Sequence, residues 1–167
     1  MFLSQEALRE AAQEPDNELS QKFTDGAVSR GDQCFAICDG RRPVAYGWYA
    51  FQPTPIGVPG LLLHLGRQSV YMYKGFTHPS RRGQRLHAIL RTMALRHYLS
   101  RGYDSAVCYV ESTNFESLKS CLRMGGRHFG SIYVVNILGE FAAYASRGCE
   151  RYGLQLEAYS PSPFGTP

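Results

Sequence analysis

The sequence predicts a mixed α+β fold, a sheet flanked by helices, and three observations predict it. Two apolar runs rich in aromatic residues, Gln33 to Cys38 and Pro43 to Phe51, enclose an Asp39-Gly40 turn. The middle of the chain alternates strand and helix patterns, and the N-terminus repeats its apolar residues at helical spacing. With 167 residues and 44% hydrophobic content, the chain can bury one core. A single domain is therefore expected over residues 1–167, its core spanning about 30–158 and a flexible tail covering 159–167.

Taken in order, Leu3, Ala7, Leu8, Ala11 and Ala12 recur at helical steps until Pro15-Asp16-Asn17 breaks them. Asp39-Gly40 readily takes the positive φ of a tight hairpin, so the runs around it read as two antiparallel strands. Gln52 to Gly60 is a Pro- and Gly-rich loop, and Leu61 to Leu65 is a short strand or a buried loop. Ser69 to Thr77 is β-branched and aromatic, and Pro79 just beyond it lacks the N–H that an interior ladder needs. From Gly83 to Ser100, Leu86, Ile89, Leu90, Met93, Ala94 and His97 follow three- and four-residue steps, closed by Gly102. A short strand at Asp104 to Val110, a helix at Asn114 to Met124 and a long strand at Phe129 to Leu138 complete a β-α-β-α-β middle. A helix and then a strand are expected between Phe141 and Ala158, where an uncovered sheet edge would suit either a monomer or a homodimer.

Composition narrows the function classes. The net charge is only +4 and no block of like charge occurs, which argues against disorder and against a polyelectrolyte arm. A pI near 8.9 falls short of the strongly basic signature of a nucleic-acid binder, and no recognised motif of that class is present. No apolar run approaches a membrane span, and the N-terminus lacks a signal-peptide pattern. The five cysteines are odd in number and form no zinc spacing, so reduced thiols, a cytoplasmic location and no metal site are expected. His64, His97 and His128 have no second ligand at useful spacing.

The chemistry-bearing stretch is a strand running into Thr77-His78-Pro79-Ser80-Arg81-Arg82-Gly83-Gln84-Arg85-Leu86 and then into the best helix. A tight turn at a helix start presents unpaired backbone N–H groups and the positive end of the helix dipole, a seat for a pyrophosphate. Arg81, Arg82 and Arg85 add charged donors beside it. The same spacing also suits an ordinary strand-to-helix junction with solvated arginines, and by itself does not decide between the two. The P-loop pattern and the Gly-x-Gly-x-x-Gly dinucleotide pattern are both absent.

These residues resemble the GNAT superfamily of acyl-CoA-dependent N-acyltransferases. The family's pyrophosphate motif, a Pro-x-x-Arg-Gly-x-Gly-x-Gly/Ala run opening a long helix, matches at Pro79, Arg82 and Gly83. Its second element, Asn-x-x-Ser/Ala after the next strand, matches at Asn114 and Ser117. The resemblance covers about Cys34 to Leu138 and departs at three positions: Arg85 and His87 stand where the family has small residues, and Cys121 where it often has a Tyr acid. It implies a central mixed, mostly antiparallel sheet that splays open at a cofactor cleft. It implies further that an acyl-CoA, acetyl-CoA above all, is held by Phe76, Thr77, His78, Arg82, Gly83, Gln84, Arg85, Leu86, Asn114 and Ser117.

The implied reaction is direct attack of a primary amine, on a small molecule or an amino sugar, upon the thioester within a ternary complex. A backbone amide near Phe76 to His78 would meet the carbonyl oxygen. Glu111, then His78, rank as candidate bases, with Tyr71 or Tyr73 acting through water. Cys121 is either the acid that protonates the departing thiolate or a small apolar packing residue. An acyl carrier protein as donor partner, or a non-catalytic domain that binds CoA or a partner, are the competing readings. The aromatic cluster Tyr46, Trp48, Tyr49 and Phe51 is expected in the core, with one face available to line an acceptor pocket.

Overall fold

The computed structural model describes residues 1–58, 60–138 and 140–159. Residues 1–3 run extended along the first strand, with Phe2 bridged to Phe35 and the Leu3 N–H donating to the Cys34 carbonyl at 2.9 Å. Ser4 then caps helix α1 (Gln5–Gln13) by accepting from the Ala7 N–H, and the helix buries Leu8 and Ala11. A short 3-10 turn at Pro15–Asn17 leads to α2 (Gln21–Ser29), capped in the same way by Ser20. The sequence did not announce α2: Gly26 and the β-branched Thr24 and Val28 are weak helix formers, and burial of Thr24 and Ala27 supplies the stability instead.

Strands β1 (Gln33–Asp39) and β2 (Arg42–Ala50) form the expected antiparallel hairpin. A two-residue strand β3 (Thr54–Pro55) pairs with β4 (Leu61–His64), and β5 (Ser69–Thr77) returns antiparallel to β2. A 3-10 turn at Pro79–Arg81 precedes α3 (Leu86–Leu99), which therefore starts later than the apolar pattern suggested. Strand β6 (Ser105–Val107) lies parallel to β5, and α4 (Phe115–Arg123) follows. The main sheet runs β1-β2-β5-β6.

The C-terminal expectation of helix then strand is corrected. Strands β7 (Ile132–Ile137) and β8 (Glu140–Ala145) form a separate two-stranded ribbon. One turn of helix, α5 (Arg147–Glu150), then precedes β9 (Gln155–Ala158), which pairs with β4. Phe141, Ala142, Ala143, Tyr144 and Ala145 carry a mixed pattern that only pairing with β7 resolves into a strand. Beyond Tyr159 the expected tail lies outside the described residues.

Alternation along the strands divides the core between the two faces of the main sheet. Cys34, Ala36, Tyr46, Trp48 and Phe76 pack against α1 and α2 through Leu8, Ala11 and Ala27. Phe35, Ala45, Tyr49, Val70 and Met72 pack against α3 through Leu90, Ala94 and Tyr98. The cluster read as core from Tyr46 to Phe51 is core: Tyr46, Trp48 and Tyr49 are buried and Phe51 is half-buried against Tyr98. Among the described residues, no helix is long and apolar enough to cross a membrane.

Candidate active site

Two irregularities in β5 open the sheet. Tyr46 pairs with Phe76 but Trp48 pairs with Tyr73, so Lys74 and Gly75 bulge out of the ladder, Lys74 with a positive φ of 45°. The bulge resets the alternation, which is why Tyr73 and Phe76, three residues apart, both pack towards α1 and α2. On its other edge β5 pairs with β6 only over Ser69–Tyr71, and the two strands diverge beyond it. A cleft of about 730 Å³ fills the gap, lined by β5 from Tyr71 to Gly75, the arginine turn, the start of α3, the segment after β6 and α4.

The cleft gathers much of the expected set: Thr77, Arg82, Gly83, Arg85, Leu86, Asn114, Ser117, Glu111 and Cys121 all line it. Phe76, His78 and Gln84 do not. Phe76 is buried and stacks on Tyr46 with 5.0 Å between centroids, and Gln84 is exposed beside the turn. The ring nitrogens of His78 face Ser80 Oγ at 2.7 Å and the Arg42 guanidinium at 3.2 Å. Its N–H donates to the Val44 carbonyl at 2.9 Å, and Phe76 and Thr77 are paired with β2, so the peptide groups outside the ladder are those of Lys74 and Gly75.

At the mouth, the Arg81 guanidinium donates to Asp39, and Arg82 Nε donates to the Thr77 carbonyl at 3.3 Å. Among the described residues, neither Arg82 nor Arg85 is paired with a carboxylate. Arg85 occupies the N-cap of α3 in the left-handed conformation, φ 59°. The first intrahelical bond runs from the Ile89 N–H to the Arg85 carbonyl, so the amides of Leu86, His87 and Ala88 in the first helical turn are left without an intrahelical partner and suit an anion. A non-glycine residue in this conformation is strained by roughly 1 kcal/mol. Arg85→Gly is therefore expected to raise stability by up to about 1 kcal/mol in urea melts.

His87, the other departure from the small-residue pattern, packs on the bulge. A Cβ at Gly75 would lie 2.8 Å from His87 Cε1, so glycine there lets the imidazole close the cleft's inner wall. Burial, and then the nearby Arg91, hold the His87 pKa below its usual value. Asn114 and Ser117 do structural work: Asn114 Oδ1 accepts from the Ser117 N–H at 3.1 Å and caps α4. Glu111 is exposed on the lining.

Deeper in, Arg91 on α3 is half-buried and donates from Nη1 to Cys121 Sγ at 3.1 Å and from Nη2 to Cys108 Sγ at 3.4 Å. Among the described residues it has no carboxylate partner. Burial pushes the Cys108 thiol up, an effect that Arg91 opposes.

A second cavity of about 360 Å³ adjoins the first, sharing Tyr71, Tyr73, Lys74 and Tyr109 and adding Phe23, Arg30, Pro55, Ile56 and Gly57. Tyr71 stacks on Tyr73 at 5.3 Å and on Tyr109 at 6.3 Å, which makes a wall of parallel rings common to both spaces. The Tyr73 hydroxyl donates to Asp32 Oδ2 at 2.5 Å, and Arg30 Nη2 donates to the same oxygen at 2.9 Å. Asp32 is buried and its Oδ1 has no hydrogen-bond partner. Desolvation raises its pKa above the ordinary carboxylate value, against the lowering influence of Tyr73 and Arg30.

Sequence reasoning named Tyr73 but missed Asp32, Arg91 and Cys108. Asp32 sits in a turn that carries no motif, and Arg91 lies on a helix whose other arginine, Arg96, is exposed. Tyr71 and Tyr73 entered the sequence reading only as alternative bases acting through water, not as a wall.

No protein-family model matches this chain, and no curated sequence matches it. Solved structures do. The aminoglycoside acetyltransferase AAC(6')-Iy, in complex with a bisubstrate analogue of CoA and acetylneamine, superposes with a TM-score of 0.58 at 13% identity, over 77% of this chain and 89% of that one. A mutant BH1408 protein from Bacillus halodurans gives a TM-score of 0.58 at 12% identity, over 83% and 98%. The aminoglycoside acetyltransferase meta-AAC0020 from an uncultured soil sample, in complex with trehalose, gives 0.54 at 10%, over 74% and 84%. The chain shares the mixed, mostly antiparallel fold of these structures, the fold that the resemblance to the GNAT superfamily implies.

Proposed function

We propose that the protein is an acyl-CoA-dependent N-acyltransferase that moves an acyl group, acetyl in the first instance, to the primary amine of a small molecule. The observation that carries this reading is the cleft at the β5–β6 divergence, cationic at its mouth and joined side by side to a second cavity. A donor and an acceptor then meet along one wall.

The residues present suit a pantetheine-bearing donor. Arg82 and Arg85, with the free amides at the start of α3, would hold the diphosphate. The peptide groups of Lys74 and Gly75, outside the β2 ladder, are the donors nearest the reacting carbonyl. The donor supplies a thioester, and the chain must accept a proton from the amine and manage the leaving sulfur. For the first task, the Tyr73 oxygen takes the amine proton while its own passes along the 2.5 Å hydrogen bond to Asp32. Glu111, on the same cleft lining, is exposed, so the buried pair is the better placed of the two. For the second task, the Cys121 thiol donates its proton to the departing sulfur and Arg91 stabilises the thiolate left behind.

Acetyl-CoA, longer acyl-CoAs and free CoA should each raise the melting temperature, because a ligand present at about 100 times its Kd adds about 2.7 kcal/mol. CoA release should then depend on added amine. A response to an acyl carrier protein in place of free acyl-CoA would move the donor to that partner, a reading that the arginines at the mouth favour. No shift with any thioester, and no release with either donor, would overturn the assignment.

A further inference from the structure

Resting on the assignment of the larger cleft to the donor, we infer that the smaller cavity selects an acceptor amine whose flat, apolar body carries a carboxylate, and that it rejects polycationic amines. The lining is the ground for this. Phe23, Ile56, Tyr71, Tyr73 and Tyr109 present rings and aliphatic surface. Among the described residues, the charged side chains in the lining are both cationic, Arg30 and Lys74, and no carboxylate lines it.

The nearest acid, Asp32, is buried behind Tyr73 and already shared with Arg30. Arg30 and Asp32 offset one another, which leaves the Lys74 ammonium as the net charge. Lys74 sits 4.9 Å over the Phe23 ring and, among the described residues, has no acidic partner. A pocket that binds several ammonium groups needs acidic walls, and this one has the opposite sign.

The ring wall takes a planar body by stacking while Lys74 takes the carboxylate. The volume of about 360 Å³ is enough for a small aromatic amino acid but is at the low end for ligand pockets.

The test is calorimetry on the full chain saturated with free CoA, with L-phenylalanine, its amide L-phenylalaninamide and the polycation neamine as probes. The acid should bind about tenfold more tightly than the amide, as one charge-assisted contact predicts, and neamine should not compete. Lys74→Gln, measured in the same CoA-saturated state, should erase the difference between acid and amide. Equal affinity for acid and amide, tighter binding of neamine, or no binding of any probe to the CoA-saturated protein would overturn the inference and leave the donor reading in place. Failure of CoA itself to bind, with the acid still preferred over the amide, would instead sink the donor reading alone.

Discussion

Replacing Asp32 by Asn should lower the turnover of acetyl-CoA with a responsive amine about a hundredfold, while the Kd for CoA stays within a factor of two or so. The amide keeps the size of the side chain and can still meet Tyr73, but it cannot take the proton that Tyr73 relays. Tyr73→Phe should give a loss of the same order, and the double variant little more than either alone, because the two residues act as one unit.

The pH dependence carries the sign. Burial raises the Asp32 pKa from its ordinary value of 3.8, so the turnover of the wild type should fall as pH drops through the raised value. Stability moves the other way: between the unfolded and folded pKa the native state binds more protons, so this group's contribution is greatest in acid and is lost as pH rises through the folded value. Asp32→Asn should remove both slopes, and its stability relative to wild type should improve as pH rises from about 4 towards neutrality, read by urea melts at several pH values. A variant with unchanged turnover, or with the wild-type acid limb intact, would dismiss the relay.

Arg91→Met should cost turnover about 10²- to 10³-fold, the range seen when a preorganised charge donor is removed from a reacting site. Its guanidinium holds the sulfurs of Cys108 and Cys121 and, among the described residues, has no carboxylate partner, so its charge is directed at sulfur. A purely packing role would affect all donors alike. An electrostatic one would not: acyl donors with a more acidic leaving thiol should recover part of the lost rate, since they need less help to depart. Cys121→Ala should lose less than Arg91→Met, because water can protonate the thiolate while nothing else supplies the cation. Equal losses across donors of different thiol acidity would return Arg91 to a structural role.

How far the sequence reached depended on how local each signal was. The β1–β2 hairpin, β5, α3 and α4 were legible because turn chemistry, apolar period and helix stops agreed within each segment. The two motif blocks then brought the arginine turn and Asn114 to one cleft. What stayed hidden was set by long-range pairing. The bulge at Lys74–Gly75 exists only against the register of β2, and Asp32 becomes a site residue only because Tyr73, 41 positions away, folds onto it. Strand β8 is a strand because β7 is beside it.

The β7–β8 ribbon is tied to the rest of the molecule at one end only. Ile132 and Ala145 pack against the buried cluster of Leu63, Tyr71, Cys149 and Leu154. Farther out Tyr133, Val135, Ile137 and Tyr144 face water, and among the described residues the ribbon shares no ladder with the main sheet. Resistance to opening is therefore graded along the chain. The outer ribbon can unzip towards its base at a small fraction of the free energy that would release β2 from its two neighbours, without disturbing the wall of tyrosines on which the two substrates would meet.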